Sequence, residues 1–403
     1  MDWNSGTEVP DQYYFWSGIS ALAALVNGRV WIKMGRYDIY PNMYVVLLGP
    51  PATGKTSAMR RAEENVRTFE DVSVSAQSET PEGLIRFLRD KCVKTFDLAG
   101  VPTPYTPVTC FLSELSNFFS KDAQGMIDVL TGVWDCGGKS FHRRTKGQGE
   151  DLIPRPNINL LACTTQDWIT TYLKSDIIGG GFTRRVNFIN ETSTDDSKRV
   201  PWPDSTPEQE RARQNCIAYG RVLQSVSGEM QYGQGARAYW DKWYCTRPIS
   251  QEADIRGYHK SKPTLLLKVA TLIALSKEPK LIVNVEDLEV ALAILDKTET
   301  HLAKVFQGIG RNELNIIAQK VLGYLENTTE TVVEFNGKKH TGRVMNEKQL
   351  RGLMYRDAPG RELEDILSHI TITEKIKRIQ TLSQPPRTLI VLSEGFRPEG
   401  GQH

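Results

Sequence analysis

The densest chemistry in the chain lies in one short stretch, Gly49-Pro50-Pro51-Ala52-Thr53-Gly54-Lys55-Thr56. It fits G-x-x-x-x-G-K-[ST], the spacing of a phosphate-binding loop. Glycines at 49 and 54 let the backbone turn tightly enough to aim its N–H groups at a polyphosphate, with Pro50, Pro51, Ala52 and Thr53 completing the cradle. Lys55 supplies a cation for the β- and γ-phosphates, and the Thr56 hydroxyl an oxygen ligand for Mg2+. Ser57 follows in the same turn and joins the nucleotide-contacting set. The ligands this pattern calls for are ATP and Mg2+.

Such a loop needs an acid at the end of a neighbouring strand, to orient an attacking water and help hold the metal. The apolar run 108–112 ends in Ser113-Glu114. Glu114 takes the water-activating place. Ser113 takes the metal place, where a hydroxyl can bond a metal-bound water but adds no charge. A second apolar run, 158–163, ends in Thr164, placed to sense the γ-phosphate. Glycines at 179–181 lead to Phe182, Thr183, Arg184 and Arg185. A guanidinium there can stabilise charge on a transferring phosphoryl group, Arg184 first and Arg185 as its alternative. Residues 139–149 combine Phe141, His142, Arg143, Arg144 and Lys146 with a glycine turn. That composition suits a hairpin that holds a DNA backbone and stacks Phe141 on a base; a solvated basic hairpin is the plain alternative.

These residues need a scaffold. Tyr44–Leu48 reads as a buried strand feeding the loop, with a helix behind it. Residues 11–26 show helical spacing between Pro10 and Asn27-Gly28. Strands are expected at 30–34, 72–74, 108–112, 158–163 and 186–189, and a helix opening at Thr80-Pro81. Residues 102–107 read as a loop, and 191–207 as a linker. Helices alone follow at 207–227, 236–244, 263–276 and 285–306. Further helices at 313–326, 347–355 and 360–370, with a strand at 388–392, fit a winged helix. The expected fold is α/β: a P-loop NTPase core with a parallel sheet, a helical lid domain and a C-terminal winged-helix-like domain. The expected boundaries are 1–35 for an N-terminal helical segment packing on the ATPase, 36–195 for the core, 196–309 for the lid, 310–396 for the winged-helix-like domain and 397–403 for a disordered tail.

The 403 residues suffice for several domains, and 39% hydrophobic with 24% charged content is ordinary for a soluble protein. A net charge of +2 confines any nucleic-acid surface to a local patch. The six cysteines form no C-x-x-C pair and the six histidines have no ligand spacing, which speaks against zinc. Residues 1–12 do not read as a signal peptide, and the expected location is the cytoplasm.

GPPATGKT closely resembles the AAA+ consensus, and Lys55, Glu114, Thr164 and Arg184 follow AAA+ order. Ser113 in place of Asp departs from that pattern. The helix YYFWSGISALAAL before YPNMYVVLLGPPATGKT is similar to the primase-associated ATPases of bacteriophages and mobile elements. KPTLLLKVATLIALS followed by LIVNVEDLEVALAIL looks like the lid of MCM-type helicases. The resemblance implies that Lys262 or Lys268 contacts nucleotide, and that the basic hairpin grips DNA. It implies a homo-oligomeric ring, a hexamer, acting as a DNA helicase or translocase in replication, with a primase among its partners. Two other readings stay open: an ATP-dependent loader or scaffold that does not unwind, and a DNA-binding regulator that only binds nucleotide.

Overall fold

The structure is a computed structural model and describes all residues except 1–6, 135–137, 146–148, 173–180, 193, 195–197, 199–205, 251–252, 336, 356, 359, 382–385 and 399–403. Pro10 at the N-cap and Asn27 in the left-handed region at the C-cap delimit the first helix, α1 (Asp11–Val26). β1 (Val30–Met34) and β2 (Tyr37–Ile39) follow, then β3 (Tyr44–Leu48), buried along its whole length, and α2 (Lys55–Val66). Thr80 caps α3 (Pro81–Lys91) by accepting from the Gly83 N–H at 3.1 Å. β4 (Lys94–Leu98), β5 (Val101–Leu112), α4 (Leu115–Phe119) and α5 (Ala123–Trp134) come next. The chain then forms β6 (Phe141–Thr145), β7 (Gly149–Ile153), β8 (Pro156–Thr164), α6 (Gln166–Tyr172), a 3-10 turn (Thr183–Arg185) and β9 (Val186–Asn190). A capping box between Thr206 and Gln209 starts α7 (Pro207–Gln224). β10 (Gly228–Tyr232), α8 (Ala236–Thr246), α9 (Ala253–Lys277), β11 (Ile282–Val283) and α10 (Val285–Glu326) complete this part.

The chain is mixed α/β with parallel sheets. It divides into two compact units, Met1–Gln307 and Gly308–His403. In the first unit, five strands lie in the order β4-β5-β8-β3-β9. β5, β8, β3 and β9 run parallel, and only β4 is antiparallel. Parallel strands covered on both faces need apolar side chains at nearly every position, which is why YVVLL and INLLAC mark β3 and β8.

Several elements depart from the sequence reading. The expected strand at 72–74 is reduced to one parallel bridge, Val74 to Thr109. Residues 102–107 are strand, not loop. Ala99 and Gly100 both have positive φ (52° and 82°), a two-residue turn that folds β5 back on β4. Pro102 and Pro104 occupy alternate positions before β8 joins at Thr106, so the β4 ladder runs through the residues between them. After Asn190 the chain is not helical alone: β10 and β11 form a second sheet, β11-β10-β1-β2, with strands that precede the 49–56 loop. α9 starts at Ala253 and runs through Pro263 rather than beginning there. The helices expected at 285–306 and 313–326 are one, α10.

The second unit contains β12 (Glu330–Phe335), β13 (Lys338–Asn346), α11 (Glu347–Met354), α12 (Arg361–Ile372), β14 (Ile376–Gln380), β15 (Thr388–Leu392) and β16 (Arg397–Pro398). Its sheet has the order β12-β13-β15-β14, and β16 pairs with β13. Arg397 and Pro398, expected in a disordered tail, are therefore held by Thr341 and His340. Leu325, Leu350, Met354, Leu363, Leu367 and Ile390 form the core. Among the described residues no helix is long and apolar enough to cross a membrane.

Candidate functional site

The 49–56 loop leaves the C-terminal edge of the parallel sheet. Leu48, the last residue of β3, pairs with Thr164 of β8 on one side and Asn190 of β9 on the other. Ala52 and Gly54 take positive φ (65° and 79°), a backbone form in which successive N–H groups can converge on an anion. Gly54 is the N-cap of α2 and no side chain caps that helix, so its free N–H groups and dipole face the loop mouth.

Lys55 is 8% exposed. Its ammonium donates to Gly49 O at 2.8 Å, Pro50 O at 2.6 Å and Thr53 Oγ1 at 3.1 Å. Burial lowers its pKa. All three donors thus rest on the loop's own oxygens, and a phosphate would replace those acceptors. Thr56 lies above Cys163, whose thiol is pushed up to about 12 by burial and is inert.

The loop has a wall that the sequence did not reveal. A methyl group on Gly49 would lie 2.4 Å from Tyr13 Oη, 2.6 Å from Glu191 O and 3.0 Å from Thr53 Oγ1. One on Gly54 would lie 2.3 Å from Val9 Cγ2. Tyr13 is fully buried, and its hydroxyl meets Leu48 O and, at 3.2 Å, Glu191 O. Burial raises the phenol well above its ordinary pKa, so it remains a donor. The helical spacing of residues 11–26 gives Tyr13 no special place, because no local pattern reports a hydroxyl aimed at a carbonyl far along the chain.

The acid stands on the same sheet edge. Leu112 pairs with Ala162, so Ser113 and Glu114 continue level with Cys163 and Thr164. β8 lies between β5 and β3, which puts Glu114 two strand spacings, about 10 Å, from the strand of the loop. That gap matches a terminal phosphate with a water beyond it. Glu114 is exposed, and Ser116 Oγ is 3.4 Å from its carboxylate. Ser113 Oγ donates to Gln77 Oε1 at 2.7 Å, which leaves its lone pairs as acceptors. Thr164 is 8% exposed at the end of β8. The residues therefore fit a Mg-nucleotide: a glycine cradle, an uncapped helix start, a buried ammonium, a hydroxyl at Thr56 and an acid across the gap. Among the described residues no cluster of His, Cys, Asp or Glu could hold a metal unaided, so phosphate oxygens would complete the shell around Thr56.

Arg184 and Arg185 lie at the opposite edge. They precede Val186, which pairs with Tyr44 at the start of β3. The length of β3, about 13 Å, separates them from the loop. Arg184 is exposed, whereas Arg185 is buried and donates to Gly181 O. Both line a cavity of about 220 Å³ with Trp134, Lys260, Ser261 and Thr264.

The structure does not bring the lid lysines to the loop. Lys262 is held by Asp296 at 2.6 Å and by Glu299. Lys268 is buried, donates to Asn42 and lies 3.6 Å from the Trp134 ring centre, at the start of β3. The α10 residues nearest the β9 end are Lys297 and Thr298, which line a small pocket with Gln12, Asn190 and Glu191.

The basic segment does form a hairpin, β6–β7. Its described side chains have these surroundings. Phe141 is half-buried, with its ring against Gly132 of α5. Arg143 donates to Glu82 at 2.9 Å, and His142 lies 3.4 Å from Glu150. The Arg144 side chain and Lys146 lie outside the described residues.

No model of a known protein family matches the chain, and no curated protein matches it.

Proposed function

We propose that the first unit is a P-loop ATPase of the AAA+ type that assembles as a ring, a hexamer, and drives DNA translocation or unwinding in phage or mobile-element replication. The observation that carries this reading is the union of the 49–56 loop with Glu114 and Thr164 on one sheet edge. In this reading the Lys55 ammonium leaves Gly49 O and Pro50 O for the β- and γ-phosphates. The Thr56 hydroxyl holds Mg2+, which supplies charge neutralisation for the phosphates. Glu114 orients and deprotonates the attacking water. Arg184 is too far from its own loop and serves the nucleotide of a neighbouring subunit, which its exposure permits. Arg185, buried and engaged, fits an anchoring role better. The second unit, with its helices on one side of a small antiparallel sheet, is read as winged-helix-like.

Phosphate release from ATP, measured beside Lys55→Ala and Glu114→Gln, tests the proposal. Ser113 favours a second reading. A hydroxyl where an aspartate would stand lowers the charge available to Mg2+, which suits a chain that binds nucleotide as a loader, scaffold or regulator. Such a chain would bind ATP and open no forked duplex in a strand-displacement assay.

A further inference from the structure

In the second unit, β12, β13 and the turn before β16 bring three rings together. His340 and Phe396 stack with centroids 4.9 Å apart and planes 15° from parallel. Phe335 meets them edge-on at 5.8 Å and 6.1 Å. All three rings are half-exposed. Phe396 is seated over Gly342, where a methyl group would come within 2.8 Å of its ring, so the stack is fixed by the backbone beneath it.

Four cations lie on the strands around this cluster. Lys338, Lys339, Lys377 and Arg397 are exposed, and the Lys377 ammonium lies 5.8 Å from the centre of Phe396. Register places Lys338 on the ring face with His340, two positions along β13, whereas Lys339, opposite Glu334, and Arg397, opposite Thr341, belong to the other face. Among the described residues none of the four cations is in an ion pair. Two other arginines of the unit contrast with this. Arg351 and Arg378 are both held by Glu347 and Glu364. α12 adds Glu362 and Asp365 to its sequence, so that helix offers a polyanion no net attraction. Lys338 and Lys377 thus stand on the ring face as exposed cations.

We infer that this surface binds single-stranded nucleic acid, with phosphates on Lys338 and Lys377 and a base extending the His340–Phe396 stack. Cations alone would accept any polyanion. A preformed aromatic stack among them selects an unpaired base, because a paired base has its faces covered by its neighbours. The inference is independent of the ATPase reading, since it uses no residue of the first unit.

Fluorescence anisotropy with a labelled oligothymidylate tests it on the full chain, over a salt series without nucleotide. Replacing Lys338 and Lys377 by Ala should weaken binding and flatten the log–log salt slope by about 0.7 for each lost phosphate contact. Phe396→Leu keeps an apolar cover over Gly342 but removes the π-face. It should raise Kd between about fivefold and a hundredfold and leave the slope unchanged. Circular dichroism confirms that each variant is folded; should Phe396→Leu unfold the unit, the charge variant, made only at exposed positions, decides. Unchanged affinity and slope in the folded charge variant would overturn the inference. So would a wild-type chain that binds phosphatidylserine vesicles or polyglutamate through these residues and not the oligonucleotide.

Discussion

Gly49→Ala is the substitution whose cost the structure defines best. The added methyl would stand 2.4 Å from a buried phenol oxygen and 2.6 Å from the Glu191 carbonyl. Neither neighbour is the free end of a flexible chain: Tyr13 is fully buried in α1, and the carbonyl is backbone. Overpacking of this kind costs about 1–3 kcal/mol. If the phenol is displaced from Leu48 O, its lost buried hydrogen bond adds about 1–3 kcal/mol. At roughly 2–4 °C per kcal/mol for a large domain, the unfolding midpoint should fall by roughly 2–12 °C from the overpacking alone and by roughly 4–24 °C with the hydrogen bond also lost. The loop must also shift, so affinity for a fluorescent ATP analogue should fall by about tenfold or more. Tyr13→Phe in the same chain removes the nearest clashing atom and leaves the Glu191 carbonyl in place. The double variant should therefore melt above the sum of the two single losses, with a coupling on the order of 1 kcal/mol. Thermal melts and ATP-analogue titrations on the four proteins give the cycle. Wild-type stability and affinity in Gly49→Ala, or strict additivity in the double variant, would refute the packing described around the loop.

Two further predictions address other parts of the chain. Arg184→Ala should bind ATP and assemble but hydrolyse on the order of 10³ to 10⁵ more slowly, and mixing it with Lys55→Ala subunits should restore part of the rate; recovery with Arg185→Ala mixtures instead would move the finger to Arg185. In the second unit, hydrogen bonds from Arg378 and Arg351 hold the Glu364 carboxyl down at about 2, against 4.5 for the free group. A depressed carboxylate contributes stability above its unfolded pKa and loses it as pH falls toward the folded value, so the unit should weaken between about pH 4.5 and 2. Glu364 is partly exposed and the effect is correspondingly screened; acid titration followed by circular dichroism should show a shallower loss in that window for Glu364→Gln.

The conformation of the loop was legible because it is local. The spacing of Gly49, Gly54, Lys55 and Thr56 requires only a strand before and a helix after, and both are marked by their own residues. β3, β5 and β8 were visible for the same reason: strands buried on both faces write continuous apolar runs. What was hidden depends on pairing. The prolines at 102 and 104 signal a loop until β4 is seen to pair with the residues between them. β10 is an ordinary polar segment until β1, from the far side of the loop, lies beside it. Arg143 reads as a DNA ligand in a basic run, and its ion pair with Glu82 comes into view only when α3 lies beside the hairpin. Tyr13 shows the same limit at the site itself, since its value comes from two carbonyls distant in the chain. The ring cluster of the second unit was missed because Phe335, His340 and Phe396 meet only through the β13–β16 register.

The central claim is that the 49–56 loop and Glu114 hydrolyse ATP together. Steady-state phosphate release from Mg-ATP, with nucleotide binding followed in parallel, tests it most directly. The account predicts turnover by the wild-type chain, loss of turnover in Lys55→Ala, and a Glu114→Gln variant that binds ATP with near wild-type affinity yet releases no phosphate. Equal phosphate release by all three proteins would contradict it.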